Sequence, residues 1–477
     1  MNERSQFASN LAVASGTLVS RATGLIRIAV FAAVIGQTAL ADAFDIANNA
    51  PNIVYELLLG GTLTATLIPL LVAQRERNDR SATAAIFGTS MVALAAITAL
   101  AIVVAPFVFR IYSLSPTGDV ATFRDVGTAL TRIFFVQIFF YGLNALAAGA
   151  LNAHGKFLAA AWAPVAANVV ATAALLAISF DPTIAQLGLP DASVGTRLFW
   201  WFSLGPTVGI ASMSLAVVFA AVRADALPMP RFSPSHPAVR SLLMLSGWAI
   251  GYIAANQITL IVVKNLADPG SGRLDAYAKA MVLFQLPHGL LAVTIATTVT
   301  PLLARAAAQS DRIDFQRQFT NGARLTVGLT LLPSIAMALL AKPVVRLVLG
   351  WGEFSTSAVD TTARALTGLA IGLVGFSLYL FALRGFYSHS DTRTPFYINV
   401  GQNALNIALA VVLATRYDVL GLGLAFAISY LVFAVVTVQM LHHRHGTPSL
   451  LTLLNLRPLI TRQSHDDNGL SLSLIHI

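Results

Sequence analysis

Hydrophobic residues in this chain occur in long stretches that short polar segments separate. The hydropathy pattern predicts twelve helices, at residues 8–36, 38–73, 82–110, 126–152, 157–180, 196–222, 238–265, 274–305, 320–349, 361–386, 395–415 and 419–441. Most of these stretches reach the roughly 20 apolar residues that a membrane-spanning helix requires. The alternation of apolar and polar positions that is typical of a membrane β-barrel is not found along the sequence. The pattern therefore predicts an all-α polytopic membrane protein with about twelve transmembrane helices.

The composition excludes a soluble protein. Hydrophobic residues make up 56% of the 477 residues, and charged residues make up only 11%, compared with roughly 25% in soluble globular proteins. The chain contains no cysteine, which excludes disulfides, thiolate metal sites and cysteine nucleophiles. We attribute the net charge of +9 to basic loops and anionic lipid rather than to nucleic-acid binding, because cytoplasmic loops of membrane proteins are enriched in Lys and Arg.

The distribution of basic residues among the loops predicts the orientation. The amino terminus and the loops after even-numbered helices carry about twice as many Lys and Arg residues as the opposite loops. Both termini are therefore predicted to be cytoplasmic, in a multi-pass protein of the cytoplasmic (inner) cell membrane.

A proline-rich segment divides the predicted helices into two sets of six. It contains four prolines: Pro228, Pro230, Pro234 and Pro237. The sequence thus predicts an N-terminal six-helix lobe at 1–223, a cytoplasmic linker at 224–240, a C-terminal six-helix lobe at 241–445 and a cytoplasmic tail at 446–477.

A weak internal repeat supports the division into two lobes. The sequence Pro-Leu-Leu at 69–71, near the end of the second helix, recurs at 301–303, near the end of the eighth. Chance recurrence in apolar sequence is the alternative. Parallel repeats are common among transporters that work by alternating access, so the repeat favours two lobes around a central cavity.

The first predicted helix contains Arg21 and Arg27 among apolar neighbours. An arginine near the bilayer centre costs about 2.5–3.5 kcal/mol on insertion scales, so the pair requires a water-filled cavity or an anionic partner. The two side chains lie about 120° apart around the helix axis, which allows them to flank one groove. Arginine suits a phosphate because its planar guanidinium donates paired, charge-assisted hydrogen bonds. Alternatively, each arginine lies near the membrane interface and extends its charge into water.

The second predicted helix begins with an unusually polar segment. Residues 42–52 contain Asp42, Asp45 and Asn49, and we predict that they line an aqueous cavity, with Asp42 as a candidate partner for an arginine. Alternatively, residues 42–52 form an extracytoplasmic loop and the helix starts later. Both interpretations leave Glu56 within the membrane, where an ionisable residue is a candidate for function.

The seventh and eighth predicted helices supply a second set of polar and charged residues. It is predicted to face the first set across the gap between the lobes. For Arg273 and Asp275 the alternative is solvation in a loop, whereas Lys264 and Lys279 are predicted to lie within helices. The candidate substrate-binding residues are therefore Arg21, Arg27, Asp42, Asn49, Glu56, Asn256, Lys264, Arg273 and Lys279.

Motifs for catalysis, nucleotides or metals do not emerge from the sequence. There is neither a Walker-type phosphate loop nor a dinucleotide-binding glycine motif, and no paired-carboxylate or Ser/His/Asp pattern of assignable geometry. The histidines at 442, 443 and 445 follow the last helix beside Arg444 and are interpreted as a basic interfacial edge. We expect no enzyme activity, no metal and no cofactor, and the membrane potential or a coupling ion is the expected energy source.

Three short motifs are typical of one family of membrane proteins. Residues 20–27 read S-R-A-T-G-L-I-R, residues 41–44 read A-D-A-F, and residues 386–395 read F-Y-S-H-S-D-T-R-T-P. On these motifs the chain resembles the MurJ/MviN family of lipid II flippases, in the multidrug/oligosaccharidyl-lipid/polysaccharide exporter superfamily. The resemblance extends over nearly the whole chain, up to about residue 445.

The resemblance implies two six-helix lobes around a central cationic cavity. It also implies translocation of lipid II, a polyprenyl-pyrophosphate-linked peptidoglycan precursor, from the inner to the outer face of the membrane. The implied partners are lipid II, the lipid bilayer and proteins of cell-wall synthesis, and no nucleic acid. Arg21, Arg27 and Asp42 match family positions that are linked to function.

The chain also departs from the family pattern. Tyr55 and Glu56 stand where many members have basic residues, and Val282 stands where an arginine is expected in the eighth helix. Lys279 or Arg273 is the candidate substitute for that arginine. Many members carry two further C-terminal helices, for which residues 446–477 are too short. The end of this tail is typical of a truncation or a read-through.

Other functions remain as alternatives at this point. An exporter of drugs or of another lipid-oligosaccharide shares the expected fold, although a drug exporter's cavity should favour carboxylates and aromatics. A membrane-embedded glycosyltransferase would depend on a catalytic acid, and a non-transporting scaffold of cell-wall synthesis would tolerate changes in the cavity. The arginine pair and the two sets of six helices favour transport.

Overall fold

All regular structure in the described part of the chain is helical. The computed structural model describes residues 3–59, 70–77, 79–181, 184, 187–239 and 247–448. The helices are α1 (Glu3–Ile35), α2 (Ala39–Leu59), α3 (Arg80–Ile111), α4 (Val120–Ala153), α5 (Leu158–Phe180), α6 (Arg197–Arg223), α7 (Gly247–Leu266), α8 (Arg273–Pro287), α9 (Val293–Ala308), α10 (Arg312–Leu339), α11 (Ala341–Leu349), α12 (Thr356–Ile371), α13 (Leu373–Ser388), α14 (Arg393–Tyr417) and α15 (Val419–His445).

Within the described residues, these helices make twelve passages through the molecule, which is the number of helices in the hydropathy prediction, although not all of them meet the criteria for a membrane span. Within the described residues, nine are long and apolar enough to cross a membrane, and the pair α12 and α13, bent by 47°, makes ten. The other two passages are α7 and α2, and a helical segment at 70–76 follows α2 along the chain. A π turn, His288–Ala292, joins α8 to α9 within one passage. We call the end of the molecule that carries residues 3 and 448 the terminal face, and the opposite end the distal face.

Two details differ from the sequence-based expectations. Residues 42–52 lie inside α2, so the alternative that they form a loop is wrong. The predicted continuous helix at 320–349 is also wrong, because α10 ends at Leu339 and α11 is a separate helix. Pro343 has no N–H to donate to the carbonyl of Leu339, which favours a break there. In α11, Ala341 and Val345 are buried while Arg346 is exposed, so this short helix lies along the surface of its lobe.

The passages pack into two lobes of six. In the first lobe α5 packs against α1 and α6, and α4 packs against α2, α3 and α6; in the second lobe α15 packs against α12, α13 and α14, and α8 packs against α12. Contact between the lobes is limited to a few helix pairs, chiefly α2 with α7 and α8, and α1 with α11. The apolar core is continuous between the lobes toward the distal face, where Ile35 and Phe202 share a cluster with Val263, Leu274 and Leu422.

Candidate functional site

A cavity of about 250 Å³ lies between the two lobes. Four helices of the first lobe, α1, α2, α5 and α6, and helix α8 of the second lobe line it. Its polar wall consists of Arg27, Asp45, Asn48, Asn52, Asp275 and Lys279. Its apolar wall includes Phe31, Phe44, Trp201 and Phe202. The cavity thus offers both charged and aromatic surface to a ligand.

Arg27 is the cationic group that remains available in this cavity. Helix α1 is held against α5 by Asn168, whose Nδ2 donates to the carbonyl of Ser20 (3.0 Å) and to Oγ1 of Thr23 (3.2 Å). One turn further along α1, Arg27 lines the cavity. Within the described ranges, no ion pair or side-chain hydrogen bond engages its guanidinium. Arg27 is therefore free to bind an anionic ligand.

Arg21 lies nearer the terminal face and does not line this cavity. Its side chain instead contacts the π turn between α8 and α9, where a Cβ added to Gly289 would come within 2.3 Å of the Arg21 Nη1. His288 in the same turn contacts Ser377 through its Nδ1 (2.9 Å). The side chain of Arg21 thus extends from the first lobe to the second. It fits there because Gly289 has no side chain.

The structure gives Asp42 a different partner from the one that the sequence suggested. Its carboxylate is fully buried and accepts hydrogen bonds from the backbone N–H groups of Gly270, Gly272 and Asp275, each at 2.8 Å. The prediction that it pairs with an arginine is therefore wrong. Because the first N–H groups of a helix lack partners within the helix, a carboxylate from the first lobe can satisfy the N-terminus of α8 in the second lobe.

The predicted second cationic cluster is also neutralised by carboxylates. Lys264 lies 2.6 Å from Oδ2 of Asp45 in the first lobe, and Lys279 bonds both carboxylate oxygens of Asp275 one turn earlier in α8.

Arg273 is half exposed at the distal end of α8. It pairs with Asp268 (3.3 Å) and Asp418 (3.4 Å) and does not line the cavity. Of the predicted second cluster, Lys264 and Lys279 thus face the first lobe, whereas Arg273 lies at the distal end of α8. All three basic side chains form ion pairs with nearby carboxylates. Of the three, only Lys279 lines the cavity.

The remaining candidates divide between structural positions and the undescribed part of the chain. The Oδ1 of Asn256 accepts from Asn399 (3.0 Å) and Asn403 (2.9 Å) and so joins α7 to α14 inside the second lobe. Asn49 does not line the cavity, and its buried Nδ2 has no hydrogen-bond partner among the described residues. The side chain of Glu56 lies outside the part that the structure describes.

Two amides of the segment 42–52 line the cavity but were not among the candidate substrate-binding residues. Asn48 and Asn52 lie on the same face of α2 as Asp45, and Asn52 Oδ1 accepts a hydrogen bond from the Tyr141 hydroxyl (3.0 Å). Asn48 follows Asp45 by three residues and Asn52 follows Asn48 by four, which places all three on one helix face. This spacing was the signal that separates them from Asn49.

Among the described residues, hydrogen bonds between the lobes are concentrated at the distal face. Besides the contacts of Asp42 and Asp45, Asn265 bonds the backbone of Ile111 (2.8 Å) and Leu114 (2.7 Å). The Tyr112 hydroxyl donates to Gln257 (3.0 Å). The distal side of the cavity is therefore closed. In the same described residues, no group of three or more histidines or acids could hold a metal ion.

The class of protein is an all-helical membrane protein with two lobes around a cavity, a fold that solved structures of two groups share. An inward-facing multidrug resistance MATE family transporter of the MOP superfamily matches with a TM-score of 0.74 at 13% identity, over 91% of this chain and 98% of that one. A lipid II flippase MurJ in an inward closed conformation matches with a TM-score of 0.75 at 19% identity, over 96% and 94% of the two chains. The two scores are nearly equal, so the fold alone does not separate these groups.

The sequence separates them. The family model described as lipid II flippase MurJ matches residues 31–461. The lipid II flippase MurJ of Burkholderia cenocepacia is 28% identical over 404 residues, which cover 83% of this chain and 76% of that protein. The probable lipid II flippase MurJ of Rhizobium meliloti is 29% identical over 418 residues, or 87% and 76% of the two. This chain belongs to the lipid II flippase MurJ family.

Proposed function

We propose that this protein is a lipid II flippase that moves the headgroup across the membrane by alternating access. The sugars, peptide and pyrophosphate of lipid II cannot cross hydrocarbon unaided, whereas its polyprenyl tail remains in lipid. The observation that carries the proposal is the guanidinium of Arg27, which lies in a cavity between two lobes and has no ion-pair partner among the described residues. A diphosphate that leaves water requires fixed, charged donors, and the arginine fork supplies them.

Lys279 is proposed as the second diphosphate ligand. It lies on the opposite lobe from Arg27 and reaches the same cavity, but its ammonium is held by Asp275. A diphosphate carries more negative charge than one carboxylate, so it competes with Asp275 for Lys279. In this proposal Arg21, at the π turn, contacts the headgroup on its way into the cavity.

Substrate binding would then weaken the closed distal face. The backbone N–H of Asp275 bonds Asp42, while its side chain neutralises Lys279. Once the diphosphate draws Lys279 away, the carboxylate of Asp275 is left unpaired near the carboxylate of Asp42. Like charges in a poorly solvated site repel strongly, so the N-terminus of α8 separates from α2. The distal side of the cavity opens as a result.

In this proposal the protein lies in the cytoplasmic (inner) membrane, with its terminal face toward the cytoplasm. The excess of basic residues in the loops at this face supports that orientation. We propose the membrane potential as the driving force, since one charge that crosses the full potential gains about 2.3 kcal/mol per 100 mV. An anionic headgroup moves outward in that field. After release of the headgroup, the positively charged cavity is drawn back toward the cytoplasm, which returns the protein to its starting conformation. Transport of this kind requires neither a catalytic residue nor a cofactor, and the enzymes that make and consume lipid II are expected partners.

The direct test is headgroup accessibility in liposomes that contain the purified protein and fluorescent lipid II. We expect the intact protein to flip lipid II, and Arg27→Ala to slow flipping by about tenfold or more, since a charged hydrogen bond is worth about 1.5–3 kcal/mol. Arg416→Ala, which removes an exposed arginine at the end of α14, is the matched control. Flipping by Arg27→Ala at the normal rate would refute the proposed role of Arg27. No flipping by the folded intact protein would favour a scaffold.

Export of a cationic drug is the second candidate. The aromatic side chains of Phe31, Phe44 and Trp201 and the acids Asp45 and Asp275 favour it, because such a wall suits an organic cation. The pairing of both acids with lysines counts against it. Uptake of a fluorescent cation into the same liposomes, with lipid II omitted, distinguishes the two candidates.

A further inference from the structure

A second charged cavity, of about 440 Å³, lies between α3 and α4 on the outside of the first lobe. Three arginines line it: Arg110 in the last turn of α3, and Arg124 and Arg132 on α4. Arg124, Thr128 and Arg132 follow one another at intervals of four residues, so they lie along one face of α4. One acid, Asp125, also lines the cavity. We call this surface the arginine groove.

The arginine groove is poorly neutralised by the protein itself. Arg124 donates from Nη2 to the carbonyl of Leu114 (3.2 Å), while its Nε is buried without a partner among the described residues. Across the same described ranges, Arg110, Arg132 and Asp125 form no ion pair, and the two arginines donate no hydrogen bond. Three guanidinium groups and one carboxylate leave an excess of two positive charges. Charged side chains within a membrane are costly unless an anion or water accompanies them.

The groove opens onto the side of the protein that faces lipid. Leu100, Val103 and Phe107 on α3 are 64%, 74% and 66% exposed, as expected for side chains that contact acyl chains. Arg110 follows Val103 and Phe107 on the same side of α3 and ends this apolar strip. Arg132 lies three turns inside α4, and side chains of a helix point toward its N-terminus, so its charge is directed toward the distal face. The groove therefore joins a charged surface at headgroup depth to an apolar surface at acyl-chain depth.

We propose that the arginine groove binds the phosphate group of an anionic phospholipid in the leaflet at the distal face. Arg110 and Arg132 donate paired hydrogen bonds to the phosphate oxygens, which the planar guanidinium suits better than an ammonium does. The hydroxyl of Thr128 is positioned on the same helix face as a further donor. The acyl chains lie along Leu100, Val103 and Phe107. This site is separate from the cavity between the lobes, so the inference does not depend on the proposed transport of lipid II.

Native mass spectrometry of the full chain in detergent tests the site. The probes are short-chain phosphatidylglycerol, short-chain phosphatidylcholine and inorganic phosphate. We expect the intact protein to bind phosphatidylglycerol more tightly than phosphatidylcholine. The double variant Arg110→Gln/Arg132→Gln should bind phosphatidylglycerol at least about tenfold more weakly than the intact protein does. Arg416→Gln, an exposed arginine at the end of α14, is the matched control and should bind normally. Thermal unfolding of all variants checks that the fold is retained.

Each outcome has a defined meaning. Equal phosphatidylglycerol binding by the double variant and the Arg416 control would overturn the proposal, because the arginines would then only extend their charges into water. Displacement of phosphatidylglycerol by millimolar inorganic phosphate would also overturn it, in favour of a free-anion site. Should the double variant not fold, Thr128→Val and Arg132→Lys are the substitutes. These should weaken phosphatidylglycerol binding relative to Arg416→Gln, and normal binding by both would contradict the proposal.

Discussion

At the scale of single residues, charge pairing distinguishes the groups that hold the protein together from the groups that can hold a substrate. Lys264, Lys279 and Arg273 are as unusual in a membrane chain as Arg27, and all four were reasonable candidates. Three of them face carboxylates at hydrogen-bond distance. A buried ion pair mainly offsets the cost of its own desolvation, so Lys279 can bind a diphosphate only in exchange for Asp275. Arg27 has no such carboxylate partner within the described part of the chain.

Gly289 gives a residue-scale test of the role of Arg21. A Cβ at Gly289 would lie 2.3 Å from the Arg21 Nη1, so Gly289→Ala should displace the guanidinium. Glycine within a helix is less stable than alanine by roughly 0.5–1 kcal/mol, and the displaced group is the flexible end of a side chain. We therefore expect slower lipid II flipping in liposomes, while the melting temperature stays equal or rises.

Gly328→Ala is the matched control for that substitution. Gly328 lies in α10, and nothing is found within 4 Å of an added Cβ. Its flipping rate should equal that of the unchanged protein. Normal flipping by Gly289→Ala as well would show that the position of Arg21 does not matter for transport.

At the scale of elements, the N-terminus of α8 is the joint between the lobes. Asp42 of α2 accepts three backbone hydrogen bonds from residues 270–275, and Gly270 and Gly272 adopt positive φ angles of 93° and 82° that direct these N–H groups toward it. A carboxylate cap is worth about 0.5–2 kcal/mol even within one chain segment. Here the cap joins two lobes, so its energy stabilises the closed distal face.

Asp42→Ala should therefore shift the protein toward a state that is open at the distal face. A loss of about 1.4 kcal/mol would change the ratio of open to closed molecules about tenfold. The chain has no native cysteine, so spin labels can be placed by Ala121→Cys in the first lobe and Ser357→Cys in the second. Pulsed electron resonance should detect a longer distance population in Asp42→Ala.

Asp79→Ala is the control for that distance measurement. Asp79 caps α3 within the first lobe by accepting from the backbone of Ala82 (2.9 Å). Hydrogen bonds from the backbone of Ala82 and the hydroxyl of Ser81 lower the pKa of Asp79, so it is also a charged cap. Its loss should leave the distance between the lobes unchanged. An unchanged distance in Asp42→Ala too would show that the Asp42 cap does not hold the distal face closed.

At the scale of the whole molecule, the sequence predicts the helices well and their contacts poorly. Twelve passages follow from apolar stretches whose length the bilayer sets. The partners of the charged residues carry no local signal, because Lys264 and Asp45 are 219 positions apart and Asp42 meets a backbone rather than a side chain. Within one helix the periodicity does help, since it places Asp45, Asn48 and Asn52 on one face. The break before α11 was predictable from Pro343 but was hidden by the apolar sequence around it.

The central claim is that Arg27 holds the diphosphate of lipid II in the cavity between the lobes. Ala278 lines that cavity on α8, and Ala278→Cys gives a single thiol in a chain without other cysteines. The measurement is the rate at which a water-soluble maleimide labels this thiol, with and without lipid II. The account predicts that lipid II slows labelling when Arg27 is present and has little effect in Arg27→Ala. Equal protection of the thiol by lipid II in both proteins would contradict it.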